Sequence, residues 1–417
     1  MAADTDIHAL LDETIRRERG WLISSLVSRL GPGKVDLAED VAQDAIVKAL
    51  ATWPYKGIPD NPRAWLRRVA GNTAMDRIRR SARELGIDDD WDMVTSDEDI
   101  ITPSLSDPEL DLMVLCCDPT LAPLDQLILA LKTVCGFTAV ETAALFFLKE
   151  DALSQRLSRA KRQLRSQSGE IARYPTRFAL NDRLPRLLKV IYLMFAWGYL
   201  PRRGDALYRE DLCREAIRLS EGLLAQTDGA AAGHHALHAL LLFQAARLPA
   251  RKIENNRLVT LAHQDRTAWD KTMISDAFSQ LEAAQSSPEL TRYHLEAGIA
   301  SIHAKAASWD DTDWPSITRF YALLNQHAPS LAVSVNWATS LIYCGNENRA
   351  AQILDGLDGQ RGIEGFPGYH LAVAKLAQAQ GEMQTAQVAL RKAKTCQISA
   401  PIAEHIAREA DLIESSA

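Results

Sequence analysis

The chain has 417 residues, 47% of them hydrophobic and 24% charged, so it is long enough to bury the cores of two or three domains. Its formal net charge of -7 excludes a surface that is basic throughout, and any contact with nucleic acid must come from local basic patches. Six cysteines without a C-x-x-C pair argue against a disulfide framework, and the N-terminal residues do not have the pattern of a signal peptide, so we expect a cytoplasmic protein.

Almost every segment has the period of an amphipathic helix, and no convincing alternating β pattern occurs, so we expect an all-α fold. The first helical unit spans residues 1–83 and is interrupted at Gly31-Pro32-Gly33. Asp36 and Glu39 are predicted to begin the next helix, which leads to a loop from Pro54 to Asp60.

A strongly basic helix is predicted to follow this loop, from Asn61 to Arg80. Asn61 can cap the helix, and Pro62 can occupy its first turn. Around an apolar set (Leu66, Val69, Ala70 and Thr73) the helix carries Arg63, Arg67, Arg68, Arg77, Arg79 and Arg80.

An acidic segment separates this unit from the next. Glu84 to Asp111 contains eleven acidic residues and no Lys or Arg, and Pro103 and Pro108 interrupt it. Such a stretch is too polar to bury a core, so residues 84–109 are predicted to be a flexible linker. A second helical unit is expected at residues 110–168.

The second unit ends in a predicted helix-turn-helix. Thr138 and Glu141 form a T-x-x-E capping box for a short first helix, which is expected to end around Leu148. The apolar residues assigned to this helix are Val140, Ala143, Ala144 and Phe147.

The next predicted helix, Asp151 to Arg165, has two distinct faces. Its apolar stripe consists of Leu153, Leu157, Ala160 and Leu164. The residues that point the other way are Gln155, Ser158, Arg159 and Arg162, flanked by Arg156, Lys161 and Arg165. A basic face suits a helix beside phosphates. Taken alone, it equally fits a surface helix whose last turns carry cations that the macrodipole favours.

Residues 181–417 are predicted to form Ala- and Leu-rich helices with internal repeats. The turns at Gly345 and Gly381 lie 36 positions apart, close to the TPR period of about 34 residues. A helix pair is expected around each turn, and a less regular pair from Leu290 to His327. The longest uncharged run, Gly229 to Ala246, indicates a buried helix rather than a membrane span.

Two Arg-rich helical units joined by an acidic linker resemble the two-domain bacterial sigma factors of the extracytoplasmic function (ECF) type. Ala38 to Ala45 (A-E-D-V-A-Q-D-A) resembles the region 2 helix that grips the RNA polymerase clamp. Ala64 to Arg80 resembles the promoter-melting and minus-10-reading segment of these factors. Arg159-Ala160-Lys161-Arg162 is similar to the end of their region 4 recognition helix, which reads the minus-35 element.

More narrowly, the chain resembles the ECF group that has a long C-terminal TPR-like extension. Matching segments include Trp53-Pro54, Pro59-Asp60-Asn61-Pro62, Cys116-Cys117, Leu121-Ala122-Pro123, Val190-Ile191-Tyr192-Leu193, Gln264-Asp265-Arg266 and Asp311-Thr312-Asp313-Trp314. The chain departs from the group at Ala196-Trp197, where Asn-Glu is usual, and at Asp118, where a His usually follows the Cys pair. Lys149 and Ala152 replace a usual Pro and Thr, which changes the expected cap of the recognition helix.

The resemblance implies that the Asp151 to Arg165 helix reads the minus-35 element. Gln155 and Arg159 are the candidates for contacts with major-groove base edges, whereas its other cations are expected to meet phosphates. The full minus-35 set is Gln155, Arg156, Ser158, Arg159, Lys161, Arg162 and Arg165.

The first unit is expected to supply the remaining contacts. The implied minus-10 set is Asn61, Arg77, Arg79 and Arg80. Asn61 and the loop before it can engage an extruded base, although a simple helix cap explains Asn61 equally well. The implied polymerase-binding set is Asp40, Gln43 and Asp44, against the alternative of a solvated helix surface.

Other constellations are less specific. Gln264, Asp265 and Arg266 can either bind a protein partner or lock helices together. His234 and His238 stand at i and i+4 but lack a third ligand at motif spacing, so we expect no metal site. With no Gly-rich phosphate loop and no nucleophile beside a base, we expect no enzymatic activity and no cofactor.

Three functional classes follow. The first is a sigma factor that binds core RNA polymerase and promoter DNA, does not contact membranes, and is regulated by its own TPR-like domain. The alternative is an autonomous helix-turn-helix regulator with a helical-repeat effector or partner-binding domain, and a third is a TPR scaffold whose basic helices are structural. The Asp40 to Asp44 segment favours the first, because an autonomous regulator needs no grip on polymerase.

Overall fold

The computed structural model describes residues 2–84, 107–167, 177–201, 208–227, 231–253, 257–396 and 399–415. In these ranges the predicted all-α class is confirmed. A short antiparallel pair, β1 (Lys252–Ile253) and β2 (Arg257–Leu258), aligns Lys252 with Leu258. The helices are α1 (Ala2–Leu30), α2 (Val35–Lys56), α3 (Pro62–Glu84), α4 (Pro108–Cys116), α5 (Pro123–Thr133), α6 (Ala139–Leu145), α7 (Glu150–Gln167), α8 (Arg177–Tyr199), α9 (Glu210–Gln226), α10 (Ala232–Ala245), α11 (Lys271–Ala283), α12 (Arg292–Lys305), α13 (Trp314–His327), α14 (Leu331–Tyr343), α15 (Glu347–Leu357), α16 (Pro367–Ala379), α17 (Met383–Thr395) and α18 (Ala400–Ser415).

The chain divides into two compact units. The first unit comprises residues 1–194 and 225–228, and the second comprises residues 195–224 and 229–417. The first division falls inside α8, which therefore contributes residues to both units. Most of the predicted acidic linker, residues 85–106, lies outside the described residues. Within the described ranges, no helix has the length and apolarity that crossing a membrane requires.

The N-terminal part of the first unit is a bundle of α1, α2 and α3. Its core includes Leu22 of α1, Val41 of α2 and Leu66 of α3, all of which are essentially inaccessible to solvent. Trp53, buried near the end of α2, meets Trp65 of α3 edge-on, with 5.3 Å between the ring centroids. The bundle forms because each helix presents its aliphatic and small residues along one face.

This bundle packs against the rest of the first unit at Gly20 of α1. A β-carbon at Gly20 would lie 2.2 Å from the carbonyl oxygen of Val134 and 3.0 Å from Oε1 of Glu109. Because a β-carbon cannot approach a backbone oxygen that closely, only glycine permits this contact between α1 and the end of α5. The helices predicted for regions 2 and 4 are therefore in direct contact within one unit.

The start of α2 is confirmed to within one residue, but its cap and its end differ from the prediction. The helix begins at Val35, and neither Asp36 nor Glu39 caps it, because both carboxylates turn toward α7 instead. Acidic residues in a first helical turn are favourable for the macrodipole without any capping hydrogen bond. The helix also continues through Pro54 to Lys56, which shortens the predicted loop.

The segment predicted as a helix-turn-helix contains α6 and α7. The capping box of α6 is confirmed: the Thr138 N–H donates to Glu141 Oε2 at 2.8 Å, and the Glu141 N–H donates to Thr138 Oγ1 at 3.1 Å. α6 ends at Leu145 and not around Leu148, and two of the residues assigned to its apolar face are exposed. Phe147 lies in the turn at φ 54° and is 81% exposed, and Val140, in the first turn, is 42% exposed.

The second unit contains the predicted helix pairs α12 with α13, α14 with α15, and α16 with α17. Gly345 and Gly381 end α14 and α16 in the left-handed region, at φ 69° and 77°. At both turns the next N–H donates to a carbonyl five residues back, from Asn346 to Leu341 at 2.9 Å and from Glu382 to Ala377 at 2.8 Å. This shared helix-ending geometry explains why glycine recurs at these positions.

Candidate nucleic-acid interface

The two faces of α7 are separated as predicted. Leu153, Ala160 and Leu164 are buried, and Leu153 packs in one cluster with Ile128 of α5 and Ala143 of α6. The outer face is exposed at Gln155, Ser158, Arg159 and Arg162. α7 therefore packs its apolar side on α5 and α6 and presents its polar face to solvent.

Lys161 on the flank of α7 contacts acidic residues of α2. Its Nζ lies 2.5 Å from Glu39 Oε2 and 3.1 Å from Asp36 Oδ1, and only 16% of its side chain is exposed. Burial lowers the pKa of Lys161, but the two carboxylates outweigh that effect and raise the pKa above the ordinary lysine value. Lys161 therefore carries a positive charge, and the carboxylates of Asp36 and Glu39 balance this charge within the first unit.

A second contact joins α2 to α7, and another joins α2 to α5. Nη1 of Arg165 lies 2.7 Å from Asp36 Oδ2, and Thr133 at the end of α5 donates to Glu39 Oε1 at 3.1 Å. We define the α2–α7 clasp as Asp36, Glu39, Lys161 and Arg165. While the clasp is closed, Lys161 and Arg165 contact carboxylates, so a DNA phosphate would have to replace these carboxylates.

Arg156 is ion-paired with α5 and not with α2. Its Nη1 donates to Asp125 Oδ1 of α5 at 2.7 Å, and 32% of the arginine side chain is exposed. This pair fixes the start of α7 against α5. Of the seven predicted minus-35 residues, the four on the outer face are exposed, and the three flanking cations are ion-paired within the first unit.

The predicted minus-10 residues of α3 fall into three environments. Asn61 caps the helix, since its Oδ1 accepts the Ala64 N–H at 3.0 Å. Arg77 bridges two acids of α2, with Nη2 at 2.5 Å from Asp44 Oδ2 and Nη1 at 3.4 Å from Asp40 Oδ2. Arg79 and Arg80 are exposed. Asn61 therefore caps α3 and is also exposed to solvent. Its contact with an extruded base stays a prediction.

The predicted polymerase-binding residues lie on the exposed side of α2. Asp40 and Asp44 have side-chain exposures of 67% and 46%, and Gln43 between them is also exposed. Arg77 joins this acidic face to α3, so the predicted polymerase contacts and one predicted DNA contact form one surface ion-pair network.

A buried ion pair in the first unit has no counterpart among the predicted sites. Nη2 of Arg183, in α8, lies 3.0 Å from Asp118 Oδ2, and their side chains are 10% and 6% exposed. Nη1 of Arg183 also donates to the carbonyl oxygen of Val114 at 2.7 Å. The signal that could have located it is the Asp118 departure after the Cys pair, because a buried aspartate requires a cationic partner.

The Gln264-Asp265-Arg266 segment fastens elements of the second unit. Nη1 of Arg266 donates to the carbonyl oxygens of His303 at 2.6 Å and Ala306 at 2.7 Å, which satisfies the end of α12. Asp265 accepts the Thr267 N–H at 2.8 Å, and Gln264 donates to the Val259 carbonyl at 3.2 Å. These contacts favour the helix-locking alternative over partner binding.

His234 and His238 share Ser220 as a hydrogen-bond partner. His238 Nδ1 lies 3.0 Å from Ser220 Oγ, and His234 Nε2 lies 3.1 Å from the Ser220 carbonyl oxygen. Burial lowers the pKa of His234 to about 3 and that of His238 to about 4. In the described part of the chain, no group of three or more His, Cys, Asp or Glu is placed to hold a metal ion.

Comparisons with known proteins agree with the N-terminal geometry. Residues 14–84 match the family model of sigma-70 region 2, and residues 183–285 match a family of unknown function (DUF6596). The chain is 32% identical over 411 residues to the uncharacterized protein R00370 of Rhizobium meliloti (strain 1021), with 94% of this chain and 96% of that protein covered. No solved structure matches the chain.

Proposed function

We propose that this chain, which belongs to the family of the Rhizobium meliloti protein R00370 and carries region 2 of the sigma-70 family, is an ECF-type sigma factor with a TPR-like extension. Region 2 is the part of a sigma factor that binds RNA polymerase in transcription initiation. The observation that carries the proposal is the contact, within one unit, between this region and α7, whose outer face exposes Gln155, Arg159 and Arg162.

In the proposed complex, α7 lies in the major groove of the minus-35 element. Gln155 and Arg159 are exposed one turn apart and can reach base edges, where a bidentate arginine contact contributes about 1–3 kcal/mol of base discrimination. Ser158 and Arg162 share this face and meet the backbone. Lys161 and Arg165 add phosphate contacts once the α2–α7 clasp opens, and Arg156 holds α7 on α5 beside them.

Helices α2 and α3 supply the second half of the proposed promoter reader. Arg79 and Arg80 are exposed on α3 and are available to phosphates of the melted minus-10 element. Asp40, Gln43 and Asp44 provide an exposed polar face for the polymerase clamp. Arg77 belongs to the predicted minus-10 set and also contacts both carboxylates of the face proposed for polymerase.

We assign a regulatory role to the second unit and no enzymatic activity or cofactor to the chain. The helix pairs of the second unit offer a surface for a protein partner, as stacked helical repeats commonly do. The complex is expected to form in the cytoplasm, where core polymerase and promoter DNA are both present.

The experiment that tests this function is the binding of promoter DNA with and without core polymerase. A labelled duplex from the region upstream of the protein's own gene is titrated at physiological salt. We expect specific binding only when core polymerase is present, and Arg159→Ala should weaken it roughly 5- to 150-fold, the equivalent of one bidentate base contact. Arg214→Ala, on an exposed arginine of α9, is the matched control and should bind normally.

Two results would reject the proposal. Equal, specific binding of the duplex without polymerase would indicate the autonomous regulator instead. Unchanged affinity of Arg159→Ala in the polymerase complex would remove α7 from the promoter contact.

A further inference from the structure

The second unit contains a cavity of about 410 Å³ that none of the functions above uses. One wall is aromatic and continuous: the rings of Trp309 and Trp314 meet edge-on at 4.7 Å, and Trp314 stacks on Tyr343 at 4.3 Å. Cavities of roughly 300–1,000 Å³ with apolar walls are typical of small-molecule sites. The edge-on arrangement of Trp309 and Trp314 gives this wall an aromatic corner against which a planar ring can pack.

His303 adds a polar group to this wall. Its ring lies 5.5 Å from Trp314, and its Nδ1 atom is buried without a hydrogen-bond partner among the described residues. Burial, together with the guanidinium groups of Arg247 and Arg266, lowers the pKa of His303 to about 3, so the imidazole is neutral. A buried polar atom without a partner is unfavourable, and a ligand that supplies one would relieve that cost.

Among the described residues that line the cavity, positive charge is not balanced by a carboxylate. Lys375 lines the cavity, with Nζ 4.7 Å from the centroid of the Tyr343 ring, and no described carboxylate pairs with this ammonium group. The hydroxyl groups of Thr339 and Ser340 on the cavity wall already donate to the carbonyl oxygens of Val335 and Trp337. No aspartate or glutamate is among the described residues that line the cavity. The cavity therefore favours an anion over a cation.

We propose that this cavity binds an aromatic carboxylate, with its ring beside the Trp309–Trp314 pair and its carboxylate beside Lys375. One lysine matches one negative charge, which favours a carboxylate over a doubly charged phosphate monoester. The volume accommodates one ring or two fused rings. This inference concerns the second unit alone and does not depend on the proposed transcription function.

A second cavity in the second unit provides an internal comparison. It measures about 450 Å³ and is lined by Asp355, Asp358 and Glu364, with Lys392 as its lysine. We expect an anion to bind weakly in this second cavity, because the three carboxylates repel its negative charge. Binding of a carboxylate to the second unit should therefore depend on Lys375 and not on Lys392.

Calorimetric titration of the full chain with 1-naphthoate and with neutral 1-naphthalenemethanol tests the proposal. We expect 1-naphthoate to bind at least tenfold more tightly, since a hydrogen bond to a charged group contributes enough for that difference. Lys375→Met should remove the preference while leaving the binding of 1-naphthalenemethanol unchanged. Lys392→Met, the matched control, should retain the preference.

Trp314→Leu supplies a second arm, because it should weaken both ligands without changing their ratio. Thermal unfolding of each variant shows that the second unit remains folded; if Trp314→Leu fails to fold, the comparison of Lys375→Met with Lys392→Met still decides. No heat from 1-naphthoate at millimolar concentration, equal affinity for the neutral alcohol, or an effect of Lys392→Met as large as that of Lys375→Met would each overturn the proposal.

Discussion

An ion pair between α8 and the segment after α4 is buried in the first unit. Arg183 and Asp118 are both nearly inaccessible, and each satisfies the other while Val114 takes a further hydrogen bond. Such a pair contributes little relative to two apolar residues, but removal of one partner leaves an uncompensated charge in the interior. Asp118 is one of the positions where the chain departs from the pattern that it resembles, and Arg183 compensates the charge of this buried aspartate.

Arg183→Met should therefore destabilise the first unit by about 3–5 kcal/mol, because it strands the Asp118 carboxylate. The double variant Asp118→Leu with Arg183→Met should recover most of that loss. Urea unfolding measures both, and Arg186→Met, on a less buried arginine one turn further along α8, serves as the control. A double variant as unstable as the single one would contradict the interpretation.

The paired histidines of the second unit predict a pH dependence of stability. The pKa values of about 3 for His234 and about 4 for His238 lie below the ordinary histidine value of about 6.5, so the folded chain keeps both neutral where the unfolded chain binds protons. Their contribution is complete above pH 6.5 and is lost as the pH falls toward 4, by about 2 kcal/mol each at pH 5.

Thermal unfolding between pH 7.5 and 5 checks this expectation. His238→Gln should flatten the pH dependence, since the substituted side chain cannot titrate. His327→Gln, at an exposed position at the end of α13, should leave it as steep as in the natural chain. Equal slopes for the two variants would argue against the assigned role of His238.

At the scale of elements, α7 is both the proposed DNA reader and a partner of α2. Its apolar stripe follows directly from helical period, and so does its exposed outer face. The α2–α7 clasp does not, because Glu39 and Lys161 are separated by 122 positions in the chain. The clasp reduces the positive charge that α7 offers to a phosphate backbone.

Glu39→Gln should therefore strengthen low-salt binding of the free chain to nonspecific duplex DNA. Asp36 still contacts Lys161 in this variant, but a phosphate then has one carboxylate to replace instead of two. The logarithm of the binding constant should therefore fall more steeply with the logarithm of salt concentration, by up to about 0.9 for one added phosphate contact. Glu289→Gln changes the net charge equally at an exposed loop position and controls for charge alone. Identical salt slopes for the two variants would show that the clasp does not restrain α7.

The contact at Gly20 makes a prediction about how α1 meets the end of α5. Gly20→Ala should destabilise the first unit by about 1–3 kcal/mol, because its β-carbon would overlap the Val134 carbonyl and force the elements apart. Gly71→Ala in α3 is the matched control: nothing lies within 4 Å of its β-carbon, so it should stabilise the helix by about 0.5–1 kcal/mol. Urea unfolding distinguishes the two, and similar effects at both positions would contradict the close approach.

At the scale of the whole molecule, local features were predictable and distant contacts were not. The Thr138 capping box, the Asn61 cap and the Gly345 and Gly381 turns were predictable because each depends on a few neighbouring residues. The Arg183–Asp118 pair joins residues 65 positions apart, and the boundary inside α8 has no compositional signal. Phe147 was misplaced because helical period continues in the sequence after α6 has ended.

The central claim, that this chain is a promoter-directing sigma factor, is tested most directly by run-off transcription. Purified core polymerase is combined with the full chain and a template carrying the DNA upstream of its own gene. We predict a transcript of defined length that requires the added chain, is strongly reduced by Arg159→Ala and is unaffected by Arg214→Ala. Failure of the full chain to support any promoter-dependent transcript, or equal transcription without it, would contradict the claim.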